Sequence, residues 1–284
     1  MAWAACPRLG VWLRGYGRGA LLHAAVWIGC ALAAYTTIRQ WPTTWWLVAG
    51  VAFAVCTVAL THLGPVVIFP WLYELRPLDR PGLQARIDAL TRRVGTPLAA
   101  IQEWRLGLET GRQNAALVGI GSTRRVLLSD GLLADYSDDE IEVVLAHELA
   151  HHVNHDIWKT IVYETSAVVV ACLVADVVVG QAGATVGISG VQDVGGLPLL
   201  AGVGGAVVMM LAPVRNAMSR RHERQADQYA LKLTKNPAAL ISSLRRLGEQ
   251  NLAEKRPSRL VEWLFYTHPP VADRLAAAQA ATKE

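Results

Sequence analysis

The sequence predicts a mainly α membrane protein, with about four transmembrane helices carrying a water-facing α+β domain. Three observations lead there. Hydrophobic residues make up 52% of the 284 and charged ones only 18%, a balance unlike that of an ordinary soluble domain. The apolar residues are gathered into blocks: residues 19–38, 40–73 and 194–214 contain no Asp, Glu, Lys or Arg, and 165–182 contain only Asp176. A bilayer core takes about 20 apolar residues as a helix, so each block can cross it. Between and after the blocks, charges return every few positions and short alternating runs read as strands and amphipathic helices.

The first 18 residues carry Arg8, Arg14 and Arg18 and no acid, directly before the apolar stretch Ala20 to Ile38. Basic flanking of a first span places the N-terminus in the cytoplasm. A cleaved signal is the competing reading, because Ala31-Leu32-Ala33 has the A-x-A form, but the apolar run continues past it. The second span runs from Trp45 to Leu63 and extends through Val66 to Leu72, with Pro65 and Pro70 marking a break or kink. Trp45, Trp46, Trp71 and Tyr73 lie at its ends, as aromatic residues do at bilayer interfaces.

From residue 74 to 160 the pattern changes. Ala116 to Ile120 and Arg125 to Leu128 read as short strands joined by the Gly121-Ser122-Thr123 turn. Ser137-Asp138-Asp139-Glu140 has the S-x-x-E form of a capping box, and Ile141, Leu145, Leu149 and Val153 then recur every fourth residue. That pattern predicts a helix over Asp138 to Asn154. The expected organisation is a two-span region over 1–73, a charged region with edge strands and this helix over 74–160, two further spans within 161–214, and a second charged region over 215–284. Two spans on either side of residues 74–160 return every charged segment to one side of the membrane, so that both can meet in one cytoplasmic unit.

Cys6, Cys30, Cys56 and Cys172 have no C-x-x-C spacing and read as small buried apolar residues rather than a metal cage or disulfide framework. The formal charge of +4 is not organised into a basic face interleaved with aromatics, so a nucleic-acid partner is not expected. An arginine excess beside an anionic leaflet accounts for it.

His147-Glu148-Leu149-Ala150-His151 lies inside the predicted helix. Residues i and i+4 project on one face, so two imidazoles can bind one zinc ion while Glu148 reaches a water on the metal. Zinc lowers the pKa of that water, and Glu148 can take its proton and pass it to a leaving amine. A catalytic zinc has three protein ligands and one open position. An H-E-x-x-H-x-x-G-x-x-H pattern would supply the third locally, but its positions hold Asn154 and Ile157. The candidate is therefore Glu223, in His222-Glu223-Arg224-Gln225-Ala226-Asp227, with Asp227 four residues on and able to orient a ligand histidine. Ordinary i,i+4 pairing of acids and arginines on a helix face is the plainer reading of the same segment. His152 and His155 read as solvated or supporting neighbours.

With these residues in place, the chain resembles the membrane-embedded M48 metallopeptidases, which include the heat-shock protease of bacterial membranes and the CAAX prenyl protease. The resemblance covers about residues 104–278. Its markers, in order, are Asn114-Ala115 before a strand, Arg125 to Asp130, the H-E-x-x-H helix, Glu223-x-x-x-Asp227, and His268-Pro269-Pro270 with Arg274. It implies a zincin-like (gluzincin) catalytic domain with one Zn2+ held by His147, His151 and Glu223, and Glu148 as base. It implies further that Asn114 and Ala115 lie on the edge strand that pairs with a polypeptide substrate, and that His268 and Arg274 lie near the oxyanion. The four expected spans match the smaller bacterial members, whereas the CAAX enzymes have more spans and a large chamber for which this chain is too short.

An H-E-x-x-H within a span is excluded by the acids at 138–142 and by Asp156 and Lys159, too much charge for the bilayer core. The expected function is hydrolysis of membrane or misfolded proteins. Dedicated processing or signalling proteolysis is the second reading, and an inactive membrane interaction protein the third.

Overall fold

The computed structural model describes residues 9–105, 114–250 and 257–282. Cys6, Arg8 and the side chains of Arg14 and Arg18 lie outside the described residues. Contacts divide the chain into two compact units, one of Met1–Ala54 with Thr165–Val208, the other of Val55–Glu164 with Met209–Glu284.

Among the described residues, four helices are long and apolar enough to cross a membrane. The first, α1 (Leu9–Gln40), and α2 (Trp45–Leu63) match the first two expected spans. At the Pro65 break predicted from sequence the chain forms one π-helical turn, Gly64–Ile68, then a last turn, α3 (Phe69–Leu72). Proline lacks the N–H that an α-helix needs there, and the wider turn accommodates its ring.

The other two spans belong to longer helices, described below as α7 and α8. In the first unit, Ile38, Trp45, Ala175, Val179 and Leu200 form a small core. A Cβ at Gly50 would collide with a methyl of Val169, so the absence of a side chain lets the two helices approach closely. Asp176, the one acid of the third apolar block, accepts a 2.7 Å hydrogen bond from the Trp45 indole. The cysteines differ from expectation: Cys30 and Cys56 are exposed and Cys172 is half-buried. A helix in lipid has apolar residues on its outer surface as well as inside, so apolarity does not imply burial there.

The second unit contains a four-stranded sheet: β1 (Glu74–Pro77), β2 (Ala100–Arg105), β3 (Ala115–Val118) and β4 (Arg125–Ser129), in the order β1-β2-β4-β3. Strands β3 and β4 are antiparallel around the predicted turn, β2 and β4 are parallel, and β1 and β2 are antiparallel. Strand β4 is interior and buried from Val126 to Ser129, while β3 is an edge.

Helix α4 (Pro81–Val94) starts on a proline and stops at Gly95, whose φ of 68° is a left-handed cap. After the short α5 (Asp130–Asp135) comes α6 (Asp138–Val153), and the capping box predicted from sequence is formed: Glu140 accepts from the Ser137 N–H and Ser137 accepts from the Glu140 N–H. Ile141, Leu145 and Leu149 on one face of α6 meet Leu83, Ile87 and Leu90 of α4 in the main core. Each is at most 2% exposed, and burying such a side chain contributes about 1.5–3 kcal/mol. Arg86 of α4 bonds both Asp139 and Glu142 of α6.

The long helices α7 (Asp156–Ala182) and α8 (Leu197–Thr234) start or end well outside their apolar blocks, because polar residues 156–164 and 215–234 continue the same helices into the second unit. Helices α9 (Pro237–Gln250), α10 (Arg259–Phe265) and α11 (Val271–Ala280) complete the chain.

Candidate active site

Helix α6 presents His147 and His151 on the face opposite its apolar stripe, and α8 brings Glu223 against them. His147 Nε2 lies 3.3 Å from His151 Nε2 and 3.4 Å from Glu223 Oε2, and His151 Nε2 lies 3.5 Å from Glu223 Oε1. Ligand atoms of the two histidines and the carboxylate thus lie within 4.8 Å of one another, a His-His-Glu group that could hold a metal ion. Two imidazoles and a carboxylate suit a first-row transition metal.

The outer nitrogens of the two histidines are both held. His147 Nδ1 is 2.9 Å from Asp227 Oδ1, and Asp227 is gripped from behind by Arg274, whose Nε and Nη2 each donate at 2.7 Å. His151 Nδ1 is 3.0 Å from Asp156 Oδ2, the first residue of α7. Asp156 also accepts from Lys159 Nζ at 3.0 Å and lies 3.5 Å from His222 Nε2. The chain reaches this position because His155, between α6 and α7, adopts a left-handed φ of 56°, which turns Asp156 back onto the motif.

Burial favours the neutral imidazole of His147, but hydrogen bonds to Asp227 and Glu223 outweigh it and push its pKa up to about 9. Burial also opposes the charge on Glu223, yet hydrogen bonds from His147, His151 and His268 hold its carboxyl well below the usual range. Glu148, beside these groups, is pushed up by burial, with the nearby histidines pulling only partly the other way.

Glu148 lines two adjoining cavities. The larger, of about 560 Å³, is largely apolar, with Val144, Leu240, Leu244 and Phe265 in its walls. Asn114, Ala115, His268 and Arg274 line it as well. The smaller, of about 260 Å³, is polar and includes His151, His152, Asp156 and His222. His268 Nδ1 stands 3.0 Å from Glu223 Oε2 with its side chain 64% exposed, whereas Arg274 is buried and keeps its Nη1 at 3.6 Å from the same oxygen.

The edge strand completes the cleft. Ser129 N–H donates to the Asn114 carbonyl at 2.8 Å, and Asn114 N–H donates to the Ser129 hydroxyl. In this register Asn114, Ala116 and Val118 turn their backbone groups to β4, and Ala115 and Leu117 turn theirs to the free edge. His152 donates from Nε2 to the outward carbonyl of Leu117 at 3.1 Å and so ties the edge strand to the motif helix.

The structure therefore brings Asn114, Ala115, His147, Glu148, His151, Glu223, Asp227, His268 and Arg274 into one place. Sequence reasoning missed Asp156 as the partner of His151 and His152 as the tie to β3. The only local signal was their position within five residues of the motif.

A paired-histidine helix with an adjacent glutamate and a carboxylate from a second helix is the site of a metallopeptidase class. The chain belongs to peptidase family M48, whose sequence model matches residues 77–282. It is 27% identical over 254 residues to the "Uncharacterized metalloprotease YhfN" of Bacillus subtilis, covering 88% of this chain and 60% of that protein. It is 30% identical to CAAX prenyl protease 1 of Saccharomyces cerevisiae, covering 84% of this chain and 56% of the relative. It is 30% identical to a protease HtpX homolog of Gemmatimonas aurantiaca, covering 71% and 76%. The chain thus spans less than two thirds of the length of the first two. The crystal structure of S. mikatae Ste24p superposes with a TM-score of 0.83 at 24% identity, covering 95% of this chain and 67% of that one, a likeness of fold. Together with the four apolar helices, these relatives make the chain a multi-pass membrane protein.

Proposed function

We propose that the chain is an integral-membrane zinc endopeptidase that hydrolyses peptide bonds of membrane or misfolded proteins on the cytoplasmic side of the bilayer. The observation that carries this reading is the convergence of His147 Nε2 and His151 Nε2, 3.3 Å apart, on the Glu223 carboxylate, whose two oxygens lie 3.4 Å from the first nitrogen and 3.5 Å from the second. Bonds of about 2.0–2.1 Å in tetrahedral geometry separate ligand atoms by about 3.3–3.4 Å, so His147, His151 and Glu223 fit a zinc ion. When bound, zinc supplies Lewis acidity to a water and to the scissile carbonyl.

The protein's own residues do the rest. Glu148 accepts the proton of the attacking water and delivers it to the leaving nitrogen, and the burial that raises its pKa brings it nearer working pH for both transfers. Asp227, held by Arg274, fixes the ring of His147 so that Nε2 points to the metal. The free edge beside Asn114, where Ala115 turns its backbone groups outward, pairs with an extended substrate, and backbone pairing of this kind tolerates many sequences. His268 offers a donor to the carbonyl oxygen from the exposed side of the cleft. Arg274 adds positive field from beneath it.

The arginines at 8, 14 and 18 and at 215, 220 and 221 support a cytoplasmic site. Cysteine labelling from outside intact cells should reach a position near Gln192 and not one near Lys255, and labelling at 255 would reverse the topology. The CAAX prenyl protease relatives support a narrower reading, the processing of a dedicated substrate. Mass spectrometry of proteins that accumulate in cells carrying Glu148→Gln separates the two, as one uncleaved substrate or many. The zinc reading itself is tested on the purified full chain. About one zinc per chain is expected, chelation should abolish peptide hydrolysis, and zinc should restore it; a metal-free chain with full activity would overturn the proposal.

A further inference from the structure

Helix α10 carries Leu260 at 64% exposure, Trp263 at 51% and Phe265 at 72%. Among the described residues of its unit, large exposed apolar side chains otherwise occur only along residues 55–73 and 209–214, which belong to the apolar helices, and 153–162, the end of α6 and the start of α7. A water-facing surface would leave a seven-residue helix of this composition without a partner.

The attachment of α10 identifies what covers it. Asn216 Nδ2 donates to the Leu264 carbonyl at 2.7 Å, and Arg220 Nη1 donates to the carbonyls of Glu262 and Tyr266 at 2.9 and 2.6 Å. Both donors are buried residues of α8, and together they satisfy carbonyls at the C-terminal end of α10. The uncharged block of α8 ends at Val214, preceded by the exposed Met209 and Met210. At 1.5 Å per residue, Asn216 and Arg220 stand about 3 and 9 Å beyond Val214 along the helix. The polar layer on each side of a bilayer core is about 5–8 Å deep, so α10 is fastened at that depth. Tryptophan favours this layer, and Arg259, the first residue of α10, complements anionic headgroups.

We propose that α10 is an interfacial anchor, with Leu260, Trp263 and Phe265 inserted into the headgroup and upper acyl region of the bilayer that α8 crosses. Phe265 to His268, which follow directly, line the larger cavity. The anchor therefore holds one wall of the cleft at the membrane surface, where a juxtamembrane segment of a bilayer-anchored polypeptide lies.

The test uses the full chain with its four cysteines replaced by serine, a nitroxide at Trp263→Cys, and reconstitution in vesicles of phosphatidylcholine and phosphatidylglycerol. Collision of the nitroxide with dissolved oxygen, relative to a water-soluble nickel chelate, should be several-fold higher than for a label at Arg245→Cys on α9. A label at Leu260→Cys, which retains Trp263, should behave as the one at 263. Equal ratios at 260, 263 and 245 would overturn the proposal, and so would dipolar broadening between labels on two chains, which would mean that a second copy covers α10. The readout is independent of hydrolysis and of bound metal.

Discussion

His147 and His151 stand one helical turn apart on α6, yet their supports differ. The His147 side is closed: Asp227 and Arg274 are both buried, and Asp227 meets the guanidinium through two hydrogen bonds. The His151 side is shared: Asp156, also buried, divides its oxygens among His151, Lys159 and His222, and the Lys159 side chain is 48% exposed. One ligand is thus held by a rigid interior pair and the other by a carboxylate with alternative partners. Equal bonds to a metal do not imply equal tolerance of change.

The largest expected effect is removal of a ligand. His151→Ala should lose the metal, because two donors cannot complete the site. Metal analysis checks this, and full occupancy in the variant would mean that another residue is the ligand. Next comes Asp227→Asn, which should weaken metal affinity toward 100-fold, the upper end of the 10–100-fold range for such supports. It also removes the carboxylate charge that meets buried Arg274 through two hydrogen bonds and leaves only Glu223 Oε2 at 3.6 Å, a loss of stability that thermal unfolding in detergent would register. Asp156→Asn should cost metal affinity only about tenfold and disturb unfolding less than Asp227→Asn, since the cation it pairs with, Lys159, is about half exposed and can turn to water. If the two aspartate variants are equal in both readouts, the contrast between the two sides does not hold. The smallest effect is Ser137→Ala, which removes the cap of α6 and should lower stability by about 1 kcal/mol at unchanged metal content.

The sequence made α6 readable because every local signal agreed: the Ser137–Glu140 cap, the stripe Ile141-Leu145-Leu149 and the motif fall in one period. The β3–β4 pair was readable from its turn, and the spans from uncharged length. Glu223 was found because another acid stood four residues on. Asp156 was hidden because its role depends on a left-handed residue at His155 that reverses the chain, and no periodicity survives that break. The hold of Arg274 on Asp227 joins residues 47 apart and has no sequence spacing to reveal it. Strands β1 and β2 went unread because their short, charge-bearing sequences Glu74–Pro77 and Ala100–Arg105 lack clear alternation. Cys30 and Cys56 were misplaced because helices in lipid are apolar on every side, leaving no polar face to mark which way they turn.

The central claim, that Glu148 moves the proton at a metal held by His147, His151 and Glu223, is tested most directly by Glu148→Gln. Metal content and peptide hydrolysis are measured on the same purified sample. The account predicts about one zinc per chain with hydrolysis lowered by about 10²–10⁴-fold, because only the proton carrier is removed. Turnover above about a hundredth of the parent rate, at full zinc occupancy, would contradict it.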